Sequence, residues 1–233
     1  FESGFMPFAQ LHYPFENKAR FEEHFPGDFI VEYIAQTRGW FYTLMVMGTA
    51  LFDRAPFRNC MCHGVVLAEG GQKLAKRLKN YPDPLGVFNS LVSDALRWFL
   101  VSSQLLVGGD LEVQMDAAPI AQCQRLVMNP IWNAFYFYCL YANTDGIRAE
   151  SGTDSPAVLD RYILAKTRQL VETVTARMDV YDIPGACTVI TRFLDAMNNW
   201  FVRRSRDRFW KAEKDTDKQH AYNTLHRVLT TLC

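Results

Sequence analysis

The chain has 233 residues, of which 49% are hydrophobic and 14% aromatic. This composition is typical of a globular protein with a sizeable core, built as one large domain or two ordinary ones. Lysine plus arginine and aspartate plus glutamate number 25 each, so the charge balance excludes histone-like binding of polyanions. No apolar run approaches the roughly 18–20 residues that span a bilayer, and no signal-peptide pattern opens the chain.

The cysteines occur in apolar surroundings without Cys-x-x-Cys spacing. This pattern favours buried, reduced thiols over a disulfide framework or a zinc site. Histidines are too few and too scattered to indicate a metal site. We therefore expect a cytoplasmic setting, no metal and no membrane partner. The six cysteines are Cys60, Cys62, Cys123, Cys139, Cys187 and Cys233.

The first part of the chain has the pattern of a strand, a helix and a second strand. Residues 1–25 are aromatic, proline-containing and aperiodic, which is typical of a long loop or a domain-edge segment. Residues 28–34 and 60–67 have the apolar, β-branched character of short strands, and residues 37–52 have helical periodicity between them. This order predicts a βαβ unit in a parallel, doubly wound sheet.

Polar residues lie near the ends of these predicted strands. Glu32 and Gln36 fall at the first strand-to-helix turn, and His63-Gly64 is placed at the carboxyl end of the second strand. Ligands bind outside the carboxyl ends of strands in open α/β sheets, and a glycine there lets a flat ligand approach the backbone. His63 is alternatively a structural histidine whose hydrogen bonds are satisfied.

A basic loop follows at residues 69–84. Gly70 and Gly71 allow a tight bend before a cluster of cations. Ammonium groups on flexible stems can follow the charge of a leaving pyrophosphate, so this loop is a candidate for handling phosphate. The alternative is a solvated charged loop. The cations are Lys73, Lys76, Arg77 and Lys79.

The rest of the chain is predicted to be helical. Residues 94–100 form a compact amphipathic helix, and the break at Gly108-Gly109 indicates a boundary near residues 108–118. Beyond it, prolines stand where they suit a first helical turn, so an α-helical bundle is expected. The predicted helices span residues 120–141, 156–180, 184–210 and 218–232.

An arginine-rich stretch lies in the third of these helices, beside Trp200, Phe209 and Trp210. A basic helix face with aromatic neighbours can contact a nucleic-acid backbone. A solvated face whose charges pair with Asp195 and Asp207 is the alternative. The arginines are Arg203, Arg204, Arg206 and Arg208.

Residues 71–84, GQKLAKRLKNYPDP, resemble the KMSKS signature of class I aminoacyl-tRNA synthetases and the NYPDP that follows it in one branch of isoleucyl-tRNA synthetases. Other blocks are similar to the same family in the same order, so the resemblance covers essentially the whole chain. These blocks are residues 1–10, 12–17, 36–44, 93–99, 132–137, 159–163 and 199–210.

The resemblance implies a fold of the α/β plus all-α class. Residues 1–84 are implied to be the second half of a Rossmann-type nucleotide-binding catalytic domain, and residues 85–117 a connecting helical segment below the active site. Residues 118–233 are implied to form a helical anticodon-binding-like domain. Complete family members use ATP and Mg²⁺ to activate isoleucine and then charge isoleucine tRNA. The HIGH motif of that reaction is absent here, so a missing N-terminal half, or a partner chain carrying it, is expected.

The resemblance also assigns roles to individual residues. Lys73 and Lys76 match the signature's two lysines and are the implied catalytic residues. Glu32 and Gln36 match contacts to the adenylate, and His63 and Gly64 match the pair beside adenine. Arg203, Arg204 and Arg206 are the candidate tRNA-binding residues.

Several positions depart from the family pattern. Tyr33 replaces a glycine and Ala35 replaces an aspartate in the motif that begins at Glu32. Phe5 replaces a smaller serine, and Ala75 replaces a hydroxyl-bearing residue of the signature. Losing a charge-assisted contact costs about 1.5–3 kcal/mol. These changes favour a protein that is unable by itself to form the adenylate.

Three functions are therefore compared. The favoured one is an isoleucyl-tRNA-synthetase-like fragment or paralogue that retains tRNA binding. The alternative is part of a functional isoleucine–tRNA ligase. A weaker third reading is a protein-interaction domain that uses the aromatic run at residues 135–138, although these aromatics also suit a bundle core.

Overall fold

A computed structural model describes residues 1–150, 152 and 154–233. The chain divides into two compact units. The first contains residues 1–81 and 103–113, and the second contains residues 82–102 and 114–233. No helix among the described residues is long and apolar enough to cross a membrane.

The first unit combines short helices with two small sheets. Its α-helices are α1 (Met6–Ala9), α2 (Lys18–His24) and α3 (Trp40–Phe52), and its strands are β1 (Gly27–Tyr33), β2 (Phe57–His63), β3 (Val66–Ala68), β4 (Gln72–Lys73) and β5 (Leu111–Val113). Single 3-10 turns span Glu2–Phe5, Ile34–Arg38, Glu69–Gly71 and Gln104–Val107. β1 and β2 are parallel, with Tyr33 opposite His63, so the predicted βαβ unit is confirmed.

The prediction of one strand over residues 60–67 is wrong. β2 ends at His63, and β3 begins at Val66 in a second sheet, where it lies between β4 and β5. The break occurs because Gly64 and Val65 bond to a distant segment instead of a neighbouring strand. Gly64 N donates to Leu105 O (2.9 Å), and Val65 N donates to Asp110 Oδ1 (3.0 Å).

The N-terminal segment is more ordered than the aperiodic sequence predicted. Phe8, Phe21 and Phe25 are buried together, with Tyr13 and Phe52 packed against them. The rings of Phe21 and Phe25 stack at 4.8 Å between centroids. Aromatic burial of this size supplies a small core that holds α1 and α2 in place, so a long loop is the wrong description for residues 1–25.

The second unit is the predicted helical bundle. Its helices are α4 (Pro84–Ser90), α5 (Ser93–Val101), α6 (Ala118–Cys123), α7 (Asn129–Asp145), α8 (Val158–Met178), α9 (Ile183–Asp195), α10 (Arg203–Trp210) and α11 (Thr216–Leu232). π-helical turns at Gln124–Met128 and Ala196–Val202 join α6 to α7 and α9 to α10. The core includes the fully buried Met197, Phe201, Tyr222 and Leu225.

The aromatic run at residues 135–138 is split between surface and core. Phe135 and Tyr136 are exposed. Phe137 packs edge-on against Phe209, and Tyr138 packs edge-on against Tyr222. The interaction-surface interpretation therefore fits the first two aromatics, and the bundle-core interpretation fits the last two. Successive helical residues point in different directions, so the run cannot face the core as a whole.

Candidate functional site

The carboxyl ends of β1 and β2 open onto a cavity of about 320 Å³ in the first unit. Tyr33, His63, Gly64 and Lys73 line it, together with Val65, Val66 and Leu74. The structure thus brings three of the predicted site residues to one place. Parallel strands that end side by side make this edge the expected position for a ligand.

Tyr33 and His63 face each other at the rim. Their ring centroids are 6.2 Å apart. His63 Nδ1 lies 2.9 Å from the carbonyl oxygen of Gly64, which can only accept, so Nδ1 is the donor in this contact. The Tyr33 ring occupies space that the glycine of the family motif would leave open.

Gly64 has a structural reason to be glycine that the sequence did not reveal. A Cβ built at this position would lie 2.0 Å from the carbonyl oxygen of Gly109. The two backbones touch at this point, so any side chain on Gly64 would push β2 away from the residue 104–109 turn. Its place in the cavity wall is compatible with ligand approach, but the packing alone already requires glycine.

The basic loop is held by one asparagine. Asn80 Oδ1 accepts from Ala75 N, and Asn80 Nδ2 donates to Lys73 O, both at 3.0 Å. Gly70 and Gly71 have φ values of 75° and 73°, a left-handed geometry that glycine adopts without strain. Sequence reasoning missed the role of Asn80, although an asparagine seven residues after Lys73 is compatible with closing a turn.

The two implied catalytic lysines occupy different places. Lys73 lies in β4, opposite Leu67, and lines the cavity. Lys76 is exposed at the tip of the loop and is not among the residues that line the cavity. Ala75, which replaces the hydroxyl residue of the signature, contributes its backbone to the turn by accepting from Leu78 N and Lys79 N.

Glu32 and Gln36 lie beyond the cavity wall. Glu32 is exposed on β1, opposite Cys62. Gln36 Oε1 accepts from Trp40 N (2.9 Å) at the start of α3, so half of this amide is used to cap the helix. Phe5 packs edge-on against Phe8 at 5.4 Å and is not a cavity residue.

Within the described residues, no group of three or more histidine, cysteine or acidic side chains is placed to hold a metal ion. Lys73 and the His63 ring suit the phosphate and base of a nucleotide by charge and shape. The carboxylates needed for an all-protein Mg²⁺ site are not gathered here, although Mg²⁺ commonly binds through the phosphates of its nucleotide.

A second candidate site lies on the helical segment that contains α10. Arg203, Arg204 and Arg206 are all exposed, and none of them makes an ion pair with any described residue. The Arg204 guanidinium lies over the Trp200 ring at 4.0 Å, and that of Arg206 lies 5.9 Å from the Trp210 centroid. We call this surface the arginine face. The predicted alternative, pairing with Asp195 and Asp207, is not made; Asp195 instead accepts from Asn199.

Arg208 belongs to the interior rather than to the arginine face. Its guanidinium donates to both oxygens of Asp160, at 2.6 and 2.8 Å, and also pairs with Asp217 at 2.8 Å. Asp160 is fully buried and accepts from Ser155 Oγ as well. These hydrogen bonds hold the pair inside the bundle, although the buried Nε of Arg208 has no hydrogen-bond partner among the described residues.

A second internal pair lies close to the first. Lys218, only 1% exposed, contacts Asp145 Oδ2 at 2.6 Å, and the Tyr222 hydroxyl donates to the same oxygen. Burial acts to raise the pKa of Asp145, but the hydrogen bonds from Lys218 and Tyr222 outweigh it and lower that pKa. The same balance holds for Asp217. Burial acts to raise its pKa, but the hydrogen bonds and charges of Arg208 and Lys211 outweigh burial and lower that pKa.

The cysteines are less buried than predicted. Only Cys187 is buried, while Cys60 and Cys233 are exposed and the others are intermediate. All six are free thiols. Burial and the adjacent Cys62 raise the pKa of Cys60 to about 11, so this thiol is protonated at neutral pH. The prediction of reduced thiols is consistent with this state, but the prediction that they are buried is wrong.

Comparison with known proteins connects these features. The family described as tRNA synthetases class I (I, L, M and V) matches residues 1–114, and the anticodon-binding domain of tRNA ligase matches residues 160–233. Isoleucine–tRNA ligases of Rickettsia africae (strain ESF-5) and Rickettsia bellii (strain OSU 85-389) are 54% and 55% identical over 232 residues. Each match covers 100% of this chain and 21% of the relative.

Solved structures share the fold. Mycobacterium tuberculosis methionyl-tRNA synthetase in complex with methionyl-adenylate has a TM-score of 0.75 at 22% identity, covering 97% of this chain and 44% of that one. The Agrobacterium radiobacter K84 agnB2 LeuRS in its ternary complex with tRNA and LeuAMS has a TM-score of 0.69 at 18% identity, covering 97% and 28%.

The chain spans about a fifth of the length of the curated relatives it matches. The chain is isoleucyl-tRNA-synthetase-like, matches the class I tRNA synthetase family over residues 1–114, and corresponds to part of such a protein.

Proposed function

We propose that this chain is a tRNA-binding part of an isoleucyl-tRNA-synthetase-like protein and that it does not form an aminoacyl-adenylate by itself. The observation that carries the first claim is the arginine face. Three exposed guanidinium groups, which have no acidic partner among the residues that the structure describes, stand on one helical surface within the segment that matches an anticodon-binding domain. The proposed ligand is isoleucine tRNA.

The geometry of this face suits an RNA backbone. A guanidinium that rests on a tryptophan ring is already positioned and partly desolvated, so less side-chain entropy is lost when it binds a phosphate. Trp200 and Trp210 are themselves about half exposed, so they also offer aromatic surface on which an unstacked base can stack. Because the overall charge of the chain is neutral, attraction to RNA depends on local clusters such as this one.

The test is tRNA binding by the 233-residue chain and by Arg203→Ala/Arg204→Ala/Arg206→Ala. We expect about a tenfold to hundredfold loss of affinity for isoleucine tRNA, because three phosphate contacts are removed. The matched control is Arg20→Ala/Arg97→Ala/Arg168→Ala, which removes three exposed arginines elsewhere. Equal affinity in the two triple variants would contradict the proposal.

The claim about adenylate chemistry is supported by the cavity. Tyr33 lines it, and Ala35 offers no carboxylate at the position where the family motif has one. Furthermore, Lys76 is not among the lining residues, although Lys73 is. The chain therefore lacks a complete set of groups for holding ribose and pyrophosphate at once.

A second candidate function is supported by the gathering of His63, Gly64 and Lys73 at one edge. In this account the chain is part of a working isoleucine–tRNA ligase that uses ATP and Mg²⁺, with the remaining catalytic groups on further polypeptide. Isoleucine-dependent pyrophosphate exchange by a longer protein containing this chain, abolished by Lys76→Ala, would establish this function. Absence of exchange would favour the first proposal.

A further inference from the structure

β2 carries two thiols that the functions above do not use. Cys60 and Cys62 are two residues apart on the strand and therefore project from the same face of the sheet. Their sulfur atoms are 3.9 Å apart. Cys60 is exposed and Cys62 is partly exposed, so solvent and small ions can reach the pair.

The separation suits one bridging ion better than a disulfide. Residues i and i+2 of a strand have Cα atoms about 6.6 Å apart, at the upper end of the range that a disulfide spans. A tetrahedral ion with sulfur ligands at about 2.3 Å holds two of them about 3.8 Å apart. The thiols are thus already spaced as two ligands of a single soft cation.

The charges around the pair are also favourable. Arg58 lies on the same face of β2, but Asp28 pairs with it at 3.3 Å. Glu32 is opposite Cys62 in the parallel register, so its carboxylate belongs to the same face on the neighbouring strand. Among the charged residues of β1 and β2 on this face, Glu32 therefore leaves one net negative charge for a cation.

We propose that Cys60 and Cys62 form a binding site for one soft divalent cation of the zinc and cadmium class. Binding forms two metal–sulfur bonds and releases two thiol protons to solvent. No third cysteine, histidine or acidic side chain of the described residues completes the pair, so water fills the other coordination positions. Because the sequence has no Cys-x-x-Cys spacing, this site was not predicted from it. In a β-strand, the two thiols of a Cys-x-Cys sequence also lie close together, because they share one face.

Cadmium titration of the 233-residue chain tests this inference. Cd²⁺ is the probe, followed by the ultraviolet absorption of cadmium–thiolate bonds and by counting the thiols that still react with a thiol reagent. We expect one Cd²⁺ per chain that protects two thiols. Cys60→Ser and Cys62→Ser should each weaken binding at least tenfold, because the second sulfur no longer acts at high effective concentration.

Cys233→Ser is the matched control, since Cys233 is an exposed thiol outside β2, and it should leave the affinity unchanged. Circular dichroism of each variant checks that the fold is intact. If Cys60→Ser misfolds, Cys60→Ala replaces it, since an exposed position tolerates alanine. Protection of a single thiol, or equal Cd²⁺ affinity in the Cys60 and Cys62 variants and the wild-type chain, would overturn the proposal.

Discussion

Neighbouring arginines in one helix have opposite roles. Arg206 is exposed beside Trp210, whereas Arg208 is held by Asp160 inside the bundle. The two residues are chemically identical and only two positions apart. Their roles differ because a helix turns by about 100° per residue, so a shift of two positions moves a side chain from the surface to the core.

Arg208→Met should destabilise the helical unit by about 3–5 kcal/mol, because it leaves the buried Asp160 carboxylate without its cation. Urea unfolding followed by circular dichroism measures the effect. Arg203→Met is the matched control and should change the free energy of unfolding by no more than about 0.5 kcal/mol. A loss below 1 kcal/mol for Arg208→Met, on the order of the control value, would show that the pair is not needed for stability.

The lowered pKa values of Asp145 and Asp217 predict acid sensitivity. A carboxylate whose pKa is lower in the folded state stabilises the fold above its unfolded value of about 3.9 and loses that contribution as the pH falls further. The free energy of unfolding should therefore decrease below about pH 4. Lys218→Met should flatten this pH dependence, since it removes the main hydrogen bond that lowers the Asp145 pKa. An unchanged pH profile in this variant would refute the assignment.

At the scale of elements, the basic loop is a turn closed by Asn80. The side chain joins the backbones of Lys73 and Ala75, so it links the β4 residue that lines the cavity to the turn that carries Lys76. The loop is therefore ordered by hydrogen bonds among its own residues.

Asn80→Ala should open this loop. Two hydrogen bonds worth about 1 kcal/mol each are lost, and local opening becomes about five to thirty times more frequent. Limited trypsin digestion after Lys76 and Arg77 should accelerate by a similar factor. Asn89→Ala, at an exposed position in α4, is the control and should leave the cleavage rate unchanged. Equal cleavage rates in both variants would mean that Asn80 does not hold the turn.

Local patterns predicted the elements, but distant contacts decided their limits. The βαβ unit and the bundle follow from periodicity over short windows. The end of β2 does not follow from such a window, because it depends on hydrogen bonds from Gly64 and Val65 to residues more than 40 positions away. The arginine face was predicted as a cluster, but the separation of Arg208 from it depends on Asp160, 48 residues away.

At the scale of the whole molecule, the two units carry different parts of the proposed function. The first brings His63, Gly64 and Lys73 together at the ends of parallel strands, where Tyr33 also lies. The second presents the arginine face on a bundle that is stabilised internally by two buried ion pairs. Under the proposed function, this division lets tRNA binding persist in a chain that does not complete an adenylate site.

The salt dependence of tRNA binding tests this account most directly. The logarithm of the association constant falls linearly with the logarithm of salt concentration, with a slope that reflects the number of phosphates contacted. The wild-type chain should bind isoleucine tRNA with a clear negative slope, and Arg203→Ala/Arg204→Ala/Arg206→Ala should reduce its magnitude by roughly 2. The same slope in both proteins would contradict the account, because the arginine face would then make no phosphate contacts.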